Sequence, residues 1–184
     1  MRIEELKTFS KSRISHHHDA MEELRSLGFK KIGNVSSFAH VFYHPNLNYI
    51  LKLFEKDDGY IEFYKLAIQH QNNPHFPKFR GKMMKVNKRF YAIRIEKLTE
   101  LANSPSAEPI FRGAQAYLRA NGFSGSYIEQ IKNEFPLFLE ALDIIKDCLN
   151  TSNVNLRFDL HNENIMMRGE CPVITDPFGE FSCN

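Results

Sequence analysis

The sequence contains no tryptophan, only three cysteines and no long uninterrupted run of apolar residues. Cys148, Cys171 and Cys183 are odd in number and lack the spacing of a zinc site, so we expect unlinked thiols in a reducing compartment. No stretch approaches the roughly 18 apolar residues that cross a bilayer, and the N-terminus lacks the apolar core of a signal peptide. These absences predict a cytoplasmic chain with no membrane partner.

An excess of charge of one sign is also missing. The 24 Lys and Arg residues and 22 Asp and Glu residues give a net charge of +2. That excess is too small to predict a nucleic-acid partner. A chain of 184 residues, 42% of them hydrophobic, is long enough for one domain with a sizeable core. The oligomeric state does not follow from these numbers.

The first half of the chain has the pattern of a small sheet. Residues 1–27 are polar with spaced apolar side chains, which predicts an N-terminal helical extension. Residues 28–98 are expected to form a small β-rich lobe with strands near 30–32, 39–43, 49–53, 78–86 and 89–96. Between the third and fourth strands, Asp57-Asp58 is expected to cap a helix with an apolar stripe of Tyr60, Phe63, Tyr64, Ala67 and Ile68.

The second half has a helical pattern. A linker is expected near residues 97–106, where Asn103-Ser104-Pro105-Ser106 marks a shift in composition. Two helices should follow, from about 108 to 120 and from 126 to 150. The second has a core-facing stripe of Ile131, Phe135, Phe138, Leu142, Ile145 and Leu149. Strands followed by helices predict a bilobal α+β fold, with a reduced helical lobe over residues 99–184.

Two carboxylates and one carboxamide are close together in the last part of the sequence. Two short apolar runs flank Arg168-Gly169-Glu170 and predict a hairpin. Asn164 opens its first strand and Asp176 closes its second, so both side chains should emerge at its open end. Asp159 lies five residues before Asn164, on the loop that enters the hairpin.

This set of side chains has a chemical and a structural interpretation. Carboxylate and amide oxygens suit Mg²⁺, and a spare carboxylate can orient an attacking hydroxyl and accept its proton. The structural alternative is a polar turn whose Asp and Asn side chains only cap loop backbone.

The complete pattern resembles the protein-kinase-like superfamily. Asp159-x₄-Asn164 matches the kinase catalytic loop, and Asp176, twelve residues on, matches the metal-binding Asp that follows it. Asp-Leu-His-x-x-Asn is closer to aminoglycoside and other small-molecule phosphotransferases than to typical eukaryotic kinases. The sequence is closer still to the early serine/threonine protein kinases of short-tailed coliphages. That similarity also includes Gly28–Asn34, His44-Pro45 and Ile174–Pro177.

The resemblance implies that the β-rich lobe of residues 28–98 binds the nucleotide, and it implies roles for individual residues of that lobe. Lys52, in the third strand, matches the lysine that contacts the α- and β-phosphates of ATP. Glu62 is the candidate to pair with Lys52, and Glu55 is the alternative. The segment Ile95–Thr99, which includes the candidate site residues Glu96 and Leu98, resembles the hinge whose backbone holds adenine. Strand alternation by itself leaves a second interpretation of Lys52, as a solvent-facing residue between two leucines.

Other segments depart from the kinase pattern. Gly33, Ser36 and Ser37 stand where the glycine-rich phosphate loop belongs, yet only Gly33 is a glycine. Arg157-Phe158 replaces the usual His-Arg before the catalytic Asp, and Pro177 follows Asp176 directly. Because the sequence ends eight residues after Asp176, we expect no activation segment and a constitutively configured site.

On this resemblance, we expect ATP and Mg²⁺ as cofactors and transfer of phosphate to Ser or Thr of host proteins. Asp159, Asn164 and Lys52 are the candidate catalytic residues, and Asn164 and Asp176 are the candidate metal ligands. Two alternatives stay open. A pseudokinase would use the same fold to capture or inhibit a host protein, and a small-molecule phosphotransferase would act on a soluble metabolite or drug.

Overall fold

The N-terminal sheet has five antiparallel strands in the order β1-β2-β3-β5-β4. The computed structural model describes residues 17–32, 39–55, 59–86, 88–119 and 125–180. In it, the sheet consists of β1 (Lys30–Ile32), β2 (Ala39–Tyr43), β3 (Tyr49–Glu55), β4 (Met84–Lys85) and β5 (Phe90–Glu96). The first three strands lie where the sequence predicts them. The fourth is much shorter than predicted, because the residues before it contribute only an isolated bridge from Phe79 to Ile95.

Helix α1 (His17–Ser26) contributes to the core of this sheet. Successive side chains of a strand point to opposite faces, so Leu51 and Leu53 share a face that Lys52 does not. Their face forms one buried cluster with Leu24 of α1. The other members are Phe29, Phe42, Met84, Val86, Phe90 and Ala92. The predicted N-terminal helical extension therefore includes a helix that covers the sheet face opposite Lys52, while residues 1–16 lie outside the described part of the chain.

The rest of the described chain consists of helices and two small sheets. Its α-helices, within the described residues, are α2 (Tyr60–Gln69), α3 (Ala107–Arg119), α4 (Gly125–Glu134) and α5 (Pro136–Thr151). Short 3₁₀ helices lie at Leu101–Asn103 and Asn162–Asn164. Strands β6 (Thr99–Glu100), β8 (Ile165–Arg168) and β9 (Cys171–Ile174) form a sheet in the order β6-β8-β9. Strand β7 (Leu156–Phe158) pairs with β10 (Phe178–Glu180).

The single helix predicted over 126–150 is wrong, because two helices occupy that stretch. Helix α4 ends at Glu134, and α5 begins at Pro136. Proline has no N–H to donate and its ring clashes with the preceding turn, but it fits the first turn of a new helix. Of the predicted stripe, Ile131, Phe138, Leu142 and Ile145 are buried, whereas Phe135 and Leu149 are half-buried.

Helix α2 has the predicted position but a different start and a narrower buried face. Gly59 is the N-cap residue and makes no side-chain cap bond. The predicted caps Asp57 and Asp58 lie outside the described residues. Tyr60, Phe63 and Ala67 are buried, whereas Ile68, expected on the same stripe, is 43% exposed.

The chain divides into two compact units, one formed by Met1–Asp58 and Lys78–Lys97 and the other by Gly59–Pro77 and Leu98–Asn184. Helix α2 is thus grouped with the C-terminal elements, whereas the bounds predicted from sequence group it with the sheet. Along the chain, the strands of the first sheet come early with α2 among them, and the later helices and the hairpin follow. This order matches a small kinase-like α+β fold, as predicted. Among the described helices, none is long and apolar enough to cross a membrane.

Candidate active site

Backbone hydrogen bonds bring Asp159, Asn164 and Asp176 to one end of the hairpin. Strand β8 pairs with β9 from Ile165–Ile174 onwards, and the N–H of Thr175 donates to the carbonyl oxygen of Asn164 at 2.8 Å. The ladder therefore continues to the residue directly before Asp176. Gly169, with φ of 61°, forms the turn at the other end. The predicted hairpin and its open end are found, although the chemical roles of the three side chains stay a prediction.

Asp159 is held beside this open end from two directions. Its backbone N–H donates to the carbonyl oxygen of Pro177 at 2.9 Å, which extends the pairing of Phe158 with Phe178. Its own carbonyl oxygen accepts a hydrogen bond from Nδ2 of Asn164 at 2.6 Å. The loop from Asp159 to Asn164 is therefore closed on itself by an amide side chain, while the Asp159 side chain is exposed.

Gly179 is a further residue of this site, and the sequence motifs described above do not include it. A Cβ atom at Gly179 would lie 3.3 Å from Cβ of Asp159 and 3.2 Å from Nε of Arg157. A glycine thus lets strand β10 run close against the Asp159 side chain. The sequence carries a weak signal for it, because Gly179 follows Asp176-Pro177-Phe178, where a kinase has glycine after Asp-Phe.

Lys52 belongs to the first unit and is buried, with 5% of its surface exposed. It lies opposite Val41 of β2 and Ile93 of β5, and Ile93 is fully buried. The interpretation of Lys52 as a solvent-facing residue is therefore wrong. Burial of a long cationic side chain is costly, so a lysine in this position requires an explanation beyond strand patterning.

The two candidate partners of Lys52 have other ion-pair partners. Nζ of Lys65 lies 2.6 Å from the carboxylate of Glu62, one helical turn away on α2. Arg89 forms two hydrogen bonds with the Glu55 carboxylate, at 2.9 and 3.1 Å. Glu55 also lies three residues from Lys52 on one strand, so the two side chains point to opposite faces of the sheet. Strand alternation therefore argues against Glu55 as the partner of Lys52 and leaves Glu62 as the candidate. The Lys52–Glu62 pair stays a prediction.

The expected adenine hinge lies where β5 ends. The N–H of Glu96 donates to the carbonyl oxygen of Lys78 at 3.0 Å, and its carboxylate accepts from the N–H of Lys78 at 2.6 Å. Leu98 follows and is half-buried. The phosphate-loop candidates Gly33, Ser36 and Ser37 lie outside the described residues.

The donor atoms at the open end fit a Mg²⁺ ion that also binds phosphate. Nδ2 of Asn164 donates to the carbonyl oxygen of Asp159, so Oδ1 would be the atom that Asn164 offers to a metal, and Asn164 is 8% exposed. Oδ1 of Asp176 is buried in a side chain that is half-buried overall. Mg²⁺ is commonly held by one or two protein oxygens together with waters and substrate phosphates. Within the described ranges, no cluster of three or more His, Cys, Asp or Glu residues offers a different kind of metal site.

A separate cavity lies at the opposite end of the hairpin. It has a volume of about 540 Å³ and is lined by the β6 segment, the loop at Ser104–Ser106, Phe135 and the turn at Gly169-Glu170. Asp159, Asn164 and Asp176 do not line it. The cavity is therefore distinct from the candidate active site.

Comparisons with known proteins give a structural similarity only. No family model matches the chain, and no curated protein matches it. Among solved structures, the chain is similar to the Cydia pomonella granulovirus kinase PK-1, with 13% sequence identity and a TM-score of 0.45. The similarity covers 85% of this chain and 56% of the viral kinase, so the chain spans little more than half of that protein.

Proposed function

We propose that this chain is an ATP-dependent phosphotransferase, namely a minimal serine/threonine protein kinase of phage type that acts on host proteins. The observation that supports this proposal most directly is the backbone bonding that gathers Asp159, Asn164 and Asp176. A polar turn that only satisfied its own backbone would not need an exposed carboxylate, a buried asparagine and a buried carboxylate oxygen at one end of a hairpin.

Each side chain has a defined part in this proposal. The exposed Asp159 carboxylate orients the attacking hydroxyl and accepts its proton. Asn164 and Asp176 present oxygens to Mg²⁺, which neutralises phosphate charge when bound. Lys52 contacts the phosphates, and its burial gives its charge a stronger effect than it has in water. Because positioning and electrostatic stabilisation supply most of the rate of phosphoryl transfer, no covalent intermediate is required.

The first test is a pair of variants that separates binding from catalysis. Mg²⁺–ATP should raise the melting temperature of the wild type, because a ligand that binds only the folded state stabilises it. Asp176→Asn should remove most of this shift. Asp159→Asn should retain the shift but lower transfer from γ-labelled ATP to proteins of a host lysate, by about 100- to 10,000-fold.

Asp147→Asn is the matched control, because Asp147 is an exposed residue of α5 and should leave both measurements unchanged. A wild-type protein whose melting temperature does not respond to millimolar Mg²⁺–ATP would contradict the proposal. ATP binding without any transfer would instead support the pseudokinase alternative.

A small-molecule phosphotransferase is the second candidate, and the motif Asp159-Leu160-His161-x-x-Asn164 favours it. Rapid turnover of an aminoglycoside, choline or a sugar, with no labelled protein in the lysate, would establish it in place of the protein kinase.

A further inference from the structure

Strand β9 precedes Asp176 and lies at the edge of its sheet, in the order β6-β8-β9. An edge strand has backbone groups that point away from the sheet and need partners elsewhere. On β9, two such groups are the carbonyl oxygen of Pro172 and the N–H of Ile174. The loop after α2 supplies partners for both.

A single residue of that loop, His75, bonds both groups. The carbonyl oxygen of His75 accepts the N–H of Ile174 at 2.9 Å. Nδ1 of its ring lies 2.6 Å from the carbonyl oxygen of Pro172. Because a carbonyl oxygen can only accept, Nδ1 carries the hydrogen. In a regular β-ladder, a backbone N–H would donate to the carbonyl oxygen of Pro172. The N–H of His75 is not used in this way, because it donates to Oδ1 of Asn73 at 2.9 Å. The imidazole thus replaces a backbone donor.

Arg168 attaches the same loop to the hairpin on either side of His75. One guanidinium nitrogen donates to the carbonyl oxygen of Pro74 at 2.6 Å and another to that of Phe76 at 3.1 Å. Three consecutive loop carbonyls therefore accept hydrogen bonds from the hairpin. We name this set of contacts, from Pro74–Phe76 to Arg168, Pro172 and Ile174, the loop–hairpin latch.

The ring of His75 is enclosed on its other sides. It is 3% exposed and lies edge-on to Phe138, with ring centroids 5.2 Å apart. Phe135 makes a similar contact at 6.3 Å. An aromatic enclosure fixes the ring plane, so Nδ1 can serve as a fixed donor rather than a mobile one.

We propose that His75 is a positioning residue for Asp176. The latch holds β9 at Pro172 and Ile174, and the bond from Thr175 to Asn164 holds the next residue from the opposite side. Asp176 therefore emerges from a strand end that is fixed on both edges. The inference rests on the proposed function for the metal role of Asp176, whereas the contacts of His75 do not depend on it.

Two substitutions distinguish positioning from packing. In His75→Asn the side-chain NH₂ lies near the position of Nδ1, so the variant keeps a donor but loses ring volume. His75→Leu keeps more of the volume and loses the donor. If His75 positions Asp176, the Leu variant should require about 10-fold more Mg²⁺ for half-maximal activity, the size of effect seen when an outer-shell partner of a metal ligand is lost. The Asn variant should stay within about 2-fold of the wild type, and the KM for the protein substrate should be unchanged in both.

His70→Leu is the control, because it also replaces a histidine by leucine close to this loop. The ring of His70 contacts that of Phe76. Amide exchange at Ile174 and Thr175 gives a second measurement that does not require activity, and it should be faster in His75→Leu than in His75→Asn. Equal Mg²⁺ requirements in the two His75 variants, or a larger defect in the Asn variant, would overturn the proposal. If the wild type binds no Mg²⁺–ATP, the proposed function fails, and the exchange rates still decide whether His75 fixes this strand.

Discussion

At the scale of single residues, Gly179 shows how closely the candidate active site is packed. A Cβ atom added at Gly179 would lie closer to Asp159 and Arg157 than atoms in ordinary van der Waals contact do. Its φ angle is not in the left-handed region, so alanine can adopt the same backbone. The effect of a substitution should therefore come from the contact with Asp159 rather than from backbone strain.

Gly179→Ala should displace the Asp159 side chain by a few tenths of an ångström and lower kcat by about 10-fold, with little change in the KM for ATP. Steady-state kinetics with γ-labelled ATP checks this. Gly125→Ala is the control, because no other atom lies within 4 Å of a Cβ built there. An unchanged kcat in Gly179→Ala would show that the position of Asp159 is not critical.

At the scale of secondary-structure elements, α1 is part of the hydrophobic core of the sheet. Leu24 is 3% exposed in the same cluster as Leu51 and Leu53. The helix therefore stabilises the strand that carries Lys52 from the face that Lys52 does not use.

Leu24→Ala should lower the free energy of unfolding by about 2–4 kcal/mol, because it removes buried methyl groups and leaves a cavity. The same substitution at Leu137, which is 45% exposed, should cost less than about 1 kcal/mol. Urea unfolding of the two variants measures the difference. Equal and small effects would mean that α1 does not contribute to the stability of the sheet.

Elements with local patterns are predictable from this sequence, and elements that depend on distant pairing are not. Alternation and turn residues predict β1–β3 and the hairpin around Gly169, and an apolar stripe at helical spacing predicts α2. Strands β6 and β10 have no such pattern. They exist because Thr99 pairs with Met167 and Phe178 pairs with Phe158, which lie far away in the sequence.

The same distinction applies to the candidate site. Asp159, Asn164 and Asp176 could be grouped from sequence because one hairpin carries them. His75 and Arg168 could not be recognised in this way. His75 bonds to Pro172, and Arg168 bonds to Pro74 and Phe76, so each bond joins residues more than 90 positions apart. Pro74 marks a loop in the sequence, but nothing local indicates what that loop contacts.

At the scale of the whole molecule, His75 should make global stability depend on pH. Burial lowers the pKa of His75 below its usual value of 6.5, the hydrogen bond to Pro172 opposes this shift, and the charge of Arg168 adds to it. The unfolded chain therefore binds a proton at a higher pH than the folded chain does. The full stability should be present above pH 6.5 and should decrease as the pH falls from there towards the pKa of the folded state.

Urea unfolding at about pH 7.5 and about pH 5.5, on either side of the usual histidine pKa, checks this expectation. The wild type should lose more unfolding free energy between these two conditions than His75→Asn does, because the variant has no imidazole to protonate at this position. Equal losses in the two proteins would mean that protonation of other groups accounts for the acid sensitivity.

The loop–hairpin latch also has a consequence for the order in which the protein can fold during synthesis. Arg168 follows Pro74 by 94 residues, and Pro172 follows His75 by 97. At typical translation rates, the loop waits on the order of 5–20 s for its partners. Strand β5, which completes the central pairing of the first sheet, leaves the ribosome well before β8 and β9. The sheet that carries Lys52 can therefore form early, whereas Asp176 reaches its fixed position only after β9 has been made and has met a loop synthesised long before it.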